Sequence, residues 1–236
     1  MPEEHVVIIG GSSGMGRALA AELVAQGSEV TVAGRSPDRL AAIHAELGVH
    51  TVAMDLAVEE DIARLFTSTG PVQHVVTTAA DVGGAYQPIR EYDVKLSWPA
   101  IGSKLLGPLL LAKHAAPVLE PGGSIVFTSG IAAYRPGPGA SLLAALNGAL
   151  ASLAAALAVE LAPLRVNVVS PGWVDTPIWQ DVAGDEAPAT LAAMAARLPV
   201  GRIGRTQDIA EAIIALLRNG FITGTVLHAD GGHRLI

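Results

Sequence analysis

Gly10, Gly14 and Gly16 follow directly on the β-branched run His5–Ile9 and open a stretch with helical spacing. This is G-x-x-x-G-x-G between a strand and a helix. Glycines in such a turn let the backbone approach a pyrophosphate, while the helix N-terminus offers unpaired N–H groups and a positive dipole end. Ser12, Ser13 and Met15 fill the turn and count with it as cofactor contacts. The next apolar run ends in Gly34-Arg35-Ser36. Sites for NAD usually place an acid here for the ribose 2′-hydroxyl, whereas an arginine suits a 2′-phosphate. NADP(H) is therefore the expected cofactor, with Arg35 and Ser36 at its phosphate; a solvated loop arginine is the plain alternative. Asp55, after the third strand, is placed to accept from the adenine amino group, or is an ordinary turn residue.

The elements that must position these residues alternate along the chain. Strands are expected at His5–Ile9, Val30–Ala33, Val49–Ala53, His74–Val76, Ser124–Phe127, Val166–Val169 and Val226–His228. Helices are expected at Arg17–Gln26, Pro37–Leu47 with Ser36 as N-cap, Glu59–Phe66, Pro99–Leu119, Ser141–Leu161 with Ser141 as its cap, and Gln207–Leu217. This pattern predicts an α/β fold: a Rossmann-type, doubly wound parallel sheet of about seven strands with helices on both faces. No linker divides the 236 residues, so one domain over 1–236 is expected, with a substrate lid at about 175–200.

Half of the residues are hydrophobic, 16% are charged, the net charge is −7 and cysteine is absent. Disorder, a disulfide framework, a cysteine-ligated zinc and a cysteine nucleophile are excluded. The seven histidines show no metal-ligand spacing, so no metal is expected. The acidic balance argues against nucleic acid. The start of the chain lacks the basic region of a signal peptide, and the apolar stretch Ser141–Leu161 contains Asn147 and Glu160, so neither secretion nor a membrane span is expected. A cytoplasmic protein follows. Trp173 and Trp179, near the lid, are candidates for a substrate pocket, as is Leu143.

The chain resembles the short-chain dehydrogenase/reductase family over essentially its whole length. The resemblance rests on Gly10-Gly11-Ser12-Ser13-Gly14-Met15-Gly16, Asp55-Leu56, Val166-Asn167 with Ser170-Pro171-Gly172, and Ile222-Thr223-Gly224 through Asp230-Gly231-Gly232. It implies NAD(P)-dependent hydride transfer. It also implies that Leu56, Ala79 and Ala80 line the cofactor, that Pro171 and Gly172 wrap the nicotinamide, and that Val174 and Thr176 contact its carboxamide. The family's N-N-A-G reads Thr77-Thr78-Ala79-Ala80 here. Its Asn-Ser-Tyr-Lys tetrad falls on Lys104, Gly130, Leu143 and Asn147.

Leucine has no proton to give an alkoxide. Three readings follow. The substrate is an imine or iminium, since an iminium is already positive on its C=N unit and gives a neutral amine on hydride addition without a protein acid. Alternatively the donor has moved, with Lys104, Ser129, Tyr134 and Asn147 as candidates, and the substrate is a ketone or alcohol. Or the chain is a non-catalytic NADP-binding regulator. In this family the helices at about 99–119 and 141–161 pack against a neighbouring subunit, which implies a homodimer or homotetramer.

Overall fold

The computed structural model describes residues 4–177, 179 and 184–236. Seven parallel strands form one sheet: β1 (His5–Ile9), β2 (Glu29–Gly34), β3 (His50–Ala53), β4 (Val72–Thr77), β5 (Leu119–Thr128), β6 (Arg165–Pro171) and β7 (Val226–Ala229). Their order is β3-β2-β1-β4-β5-β6-β7, so the winding reverses between β1 and β4. Every residue of β1 and β6 is buried. Parallel strands covered on both faces read as continuous apolar runs, which is why HVVII carries no polar alternation.

One apolar layer joins α1 (Gly14–Ala25) and the late helix to the sheet through Leu19, Leu23, Ile209, Ile213 and Val32. The other packs α3 (Glu59–Thr69) and the helices between β4 and β6 against Val75, Ile125, Phe127 and Val166. Ser36 caps α2 (Pro37–Leu47), its hydroxyl accepting from the Arg39 N–H, as the sequence indicates.

Two helix expectations are corrected. The run expected to be one helix over Pro99–Leu119 is α4 (Trp98–Ile101), a π-turn at Gly102–Leu106, then α5 (Gly107–Ala115). Gly107 permits this path, because a Cβ there would lie 2.6 Å from Leu56 Cγ. Leu119 belongs to β5, whose register against β4 shifts between Val72 and His74, beside Pro121-Gly122-Gly123. The long apolar helix α6 spans Ser141–Glu160, and its N-cap is Ala140 rather than Ser141, whose hydroxyl makes no cap bond. Helix α7 (Ala187–Ala195) and helix α8 (Thr206–Arg218) complete the described set. The expected lid at about 175–200 includes α7, while residues 178 and 180–183 of it lie outside the described residues.

α6 buries Leu143, Leu146, Asn147, Leu150, Ala154 and Leu157. Its opposite stripe, Ser141, Ala145, Gly148, Ser152, Ala155 and Val159, is exposed. By length and composition alone it could cross a membrane, but one face is committed to the sheet.

The sheet's N-terminal edge carries a buried polar cluster. His74 Nδ1 lies 2.9 Å from Ser124 Oγ, and its Nε2 lies 3.3 Å from Glu4 Oε1. Burial lowers the His74 pKa to about 4, although Glu4 pulls it upward. An unfolded imidazole takes its proton near pH 6.5, so between there and pH 4 the unfolded chain binds more protons and stability falls as the pH is lowered. Thermal unfolding from pH 7 to 4 is expected to show a loss on the order of 2 kcal/mol that His74→Gln largely removes. An unchanged pH slope in the variant rejects the assignment.

Candidate functional site

The reversal of strand order leaves a crevice at the C-terminal ends of β1 and β4, the usual ligand position in an open α/β sheet. A cavity of about 680 Å³ lies there. Its walls include Gly10, Ser12–Gly16, Arg35, Ser36, Asp55, Leu56, Ala79, Ala80 and Thr176. The sequence assigns each of these to cofactor, and tertiary structure brings them to one place.

The glycines are required by contact. Gly10 has φ +90°, and a Cβ on it would lie 2.9 Å from Ala79 Cα. A Cβ on Gly16 would collide with the Gly10 carbonyl. Thr78 Oγ1 donates to that carbonyl at 3.2 Å and ties the turn to the end of β4. Ser13 is the N-cap of α1 but makes no side-chain cap bond, so the first N–H groups of the helix are left for a ligand. An extended cavity, a glycine turn with no room for side chains and an uncapped helix N-terminus fit a dinucleotide. Arg35 pairs with Asp81 at 3.0 Å, and Asp55 Oδ1 accepts from the Ala57 N–H at 2.9 Å, as a turn aspartate does.

Beyond the nucleotide end, two elements converge on Thr128-Ser129-Gly130 at the end of β5. The π-turn buries Lys104 and directs its Nζ at the Thr128 carbonyl, 3.4 Å away. α6 brings Asn147, whose main-chain carbonyl accepts from Ser129 Oγ at 2.8 Å. A Cβ on Gly130 would lie 3.1 Å from Asn147 Nδ2. Asn147 is 3% exposed, yet among the described residues its Oδ1 has no hydrogen-bond partner, and neither has Thr128 Oγ1. A buried acceptor left unmatched is expensive unless a ligand or water meets it. Leu143 packs with Ala85, Ala100 and Leu146 in a small apolar cluster.

The remaining candidates lie apart. The Tyr134 ring meets His228 edge-on, centroids 4.6 Å apart, and is 41% exposed. Trp173 and Trp179 stack at 4.4 Å, and Trp179 Nε1 donates to the Val174 carbonyl. Trp173 lines a second cavity of about 360 Å³ with Leu198, Arg202, His228 and Asp230, none of which borders the first. Val174 is buried behind the segment that Pro171 and Gly172 begin, and Gly172 packs against Asp230. Among the described residues no cluster of three or more metal-ligating side chains occurs.

Sequence reasoning missed Arg39, Asp81 and Ser103, which border the nucleotide cavity. Arg39 was detectable, since it lies in the first turn of α2, four residues after Arg35. Asp81 and Ser103 carry no local signal.

A sheet reversing over a glycine turn defines a dinucleotide-binding protein of the Rossmann type. Residues 10–234 match the family model of enoyl-(acyl carrier protein) reductases. The chain is 32% identical to the short-chain dehydrogenase/reductase malC of Malbranchea aurantiaca, over 97% of its own length and 94% of that protein's. The solved structure of MalC reductase/Diels-Alderase superimposes with a TM-score of 0.93 at 33% identity, covering 99% of this chain and 97% of that one. Human 3-oxoacyl-[acyl-carrier-protein] reductase is 32% identical over 97% of each chain. A small-chain dehydrogenase in complex with NADPH has a TM-score of 0.85 and 32% identity, covering 99% of this chain and all of that one. The chain belongs to the short-chain dehydrogenase/reductase family and is an oxidoreductase of that family.

Burial lowers the Lys104 pKa to about 8. The unfolded amine holds its proton to about pH 10.5, so the unfolded chain binds more protons between pH 8 and 10.5, and stability rises with pH across that window. Denaturant titrations are expected to show a gain of roughly 3 kcal/mol there, absent in Lys104→Met. An identical pH profile in the variant rejects a buried, charged Lys104.

Proposed function

We propose that this chain is an NADPH-dependent reductase of a C=N bond, an imine or iminium. One observation carries the reading. Where the family places its Tyr and Lys, this chain has Leu143 in an apolar cluster and a buried Asn147 with an unmatched Oδ1. We read this as an atypical catalytic set from which the Asn-Ser-Tyr-Lys tetrad is missing. NADPH, when bound, supplies a hydride. An iminium already carries positive charge on its C=N unit, so hydride addition gives a neutral amine and no protein acid is needed. The solved relative described as a reductase and Diels-Alderase supports a reductase.

The chain's own residues then bind, orient and exclude water. The α1 N-terminus and the Gly10–Gly16 turn receive the pyrophosphate, and Arg35 with Ser36 receives the 2′-phosphate. Asp55 faces the adenine, while Val174 and Thr176 hold the carboxamide. Asn147 Oδ1 accepts from a nicotinamide-ribose hydroxyl, the donor it otherwise lacks. Leu143 keeps water from the substrate, Asn147 in place of the family's Lys removes a cation that would repel it, and the segment at about 175–200 with Trp173 and Trp179 closes the substrate side.

A second reading has its own support. Lys104 is a buried ammonium beside the Thr128 carbonyl, with a pKa near 8, which suits a relocated proton donor for a ketone.

We further infer a cytoplasmic homodimer or homotetramer that binds neither nucleic acid nor membrane. Its copies meet through α4–α5 and the exposed small-residue stripe of α6.

NADPH oxidation with a panel of cyclic imines, ketones and enones tests the reading. Imine turnover is expected, with Lys104→Ala and Tyr134→Phe keeping most of kcat. A drop of about 10³-fold in either indicates a relocated donor, since general acid catalysis contributes about 10²–10⁴. Silence across the panel despite NADPH binding indicates a non-catalytic binder. Arg35→Ala is expected to weaken NADPH binding about tenfold or more and spare NADH; equal losses reject the 2′-phosphate assignment.

A further inference from the structure

Arg35 is already engaged. From the C-terminal end of β2 it reaches past the end of β1 and pairs with Asp81 beyond β4, Nη1 to Oδ2 at 3.0 Å. The two ends differ in freedom. Asp81 is fixed from several directions: its N–H donates to Ser103 Oγ at 2.9 Å, its carbonyl accepts from the same hydroxyl at 3.3 Å, and its Oδ1 accepts from the Gly83 N–H at 3.0 Å. Ser103 is itself buried, on the π-turn. The Arg35 side chain is 61% exposed, the Asp81 side chain 31%. A mobile cation thus leans on an anchored carboxylate, and both border the nucleotide cavity beside Ser36 and Arg39.

The two nicotinamide cofactors differ only at the adenosine 2′ position, a hydroxyl in one and a phosphate in the other. A carboxylate there accepts from the hydroxyl and repels the phosphate. In NAD sites the acid follows β2. Here β2 ends in Gly34-Arg35, and an acid reaches the same region from the end of β4. Arg35 gives Asp81 one of its N–H groups and can turn the others to a 2′-phosphate, but Asp81 stays anchored beside it on the wall of the same cavity. An exposed pair such as this is weak, so that turn toward the phosphate is feasible but opposed.

We propose that Asp81 is a cofactor-selecting residue that opposes Arg35, accepting the ribose 2′-hydroxyl of NADH and penalising the 2′-phosphate of NADPH, so that the chain uses both cofactors. The proposal rests on the assignment of Arg35 to the 2′-phosphate.

Dissociation constants for NADPH and NADH, measured by fluorescence titration at low and high salt on the full chain, test it. Asp81→Asn keeps the Oδ1 acceptor for Gly83 and removes the charge. NADPH is expected to bind about five- to tenfold tighter and NADH a few-fold weaker, moving the preference about tenfold or more toward NADPH. The tightening of NADPH is expected to shrink at high salt, because it arises between partly exposed charges. Asp81→Ser, also uncharged, repeats the measurement if the asparagine variant folds poorly. A preference that moves less than about twofold, or toward NADH, overturns the proposal. If Arg35→Ala selectively weakens NADPH while both Asp81 variants leave the preference unmoved, the arginine assignment stands and the Asp81 proposal alone falls. If Arg35→Ala weakens both cofactors equally, both fall together.

Discussion

The fold turns on one close approach: the backbone leaving β1 at Gly10 passes against the backbone leaving β4 at Thr78 and Ala79. No side chain fits between them, and Thr78 Oγ1 fastens the contact by donating to the Gly10 carbonyl. Because the strands part at this point in opposite winding directions, the crevice forms here. Because the turn is held down, the first N–H groups of α1 face the crevice. The neighbouring strand ends then place Arg35, Asp55 and Asp81 around the same cavity.

The second constraint is polar burial at the end of β5. Thr128, Ser129 and Gly130 are met from one side by Lys104 and from the other by Asn147. Ser129 is satisfied by the helix carbonyl it donates to, whereas the Asn147 Oδ1 and Thr128 Oγ1 are not. A core this apolar tolerates unmatched acceptors only where something else completes them. Lys104 enters from the π-turn between α4 and α5, on which Ser103 is buried as well.

The high apolar content has a structural account. β1 and β6 are buried end to end, and α6 is apolar around most of its circumference while committing one face to the sheet. The polar groups excluded from the core collect at the two rims. His74, Ser124 and Glu4 satisfy one another at the N-terminal edge, and the ligand-facing groups gather at the C-terminal edge.

The sequence alone determined the alternation of strands and helices, the glycine turn, the place of Arg35 and the family. Each depends on local pattern: periodicity, turn residues and short-range spacing. It misplaced the long helix ahead of β5, because a π-turn and a strand start at Leu119 depend on packing against Leu56 and β4 rather than on propensity. It located Lys104 and Asn147 but not their convergence on one loop. It named Trp173 for the substrate side, and the structure adds that Trp173 borders a second cavity. Asp81 had no signature at all. Its partner is 46 residues away, and its carboxylate points at Arg35 only because β2 and β4 flank β1 and Ser103 fixes the loop between them. Local chemistry writes the elements into the sequence, whereas the meeting of charges across strand ends exists only once the sheet has been assembled.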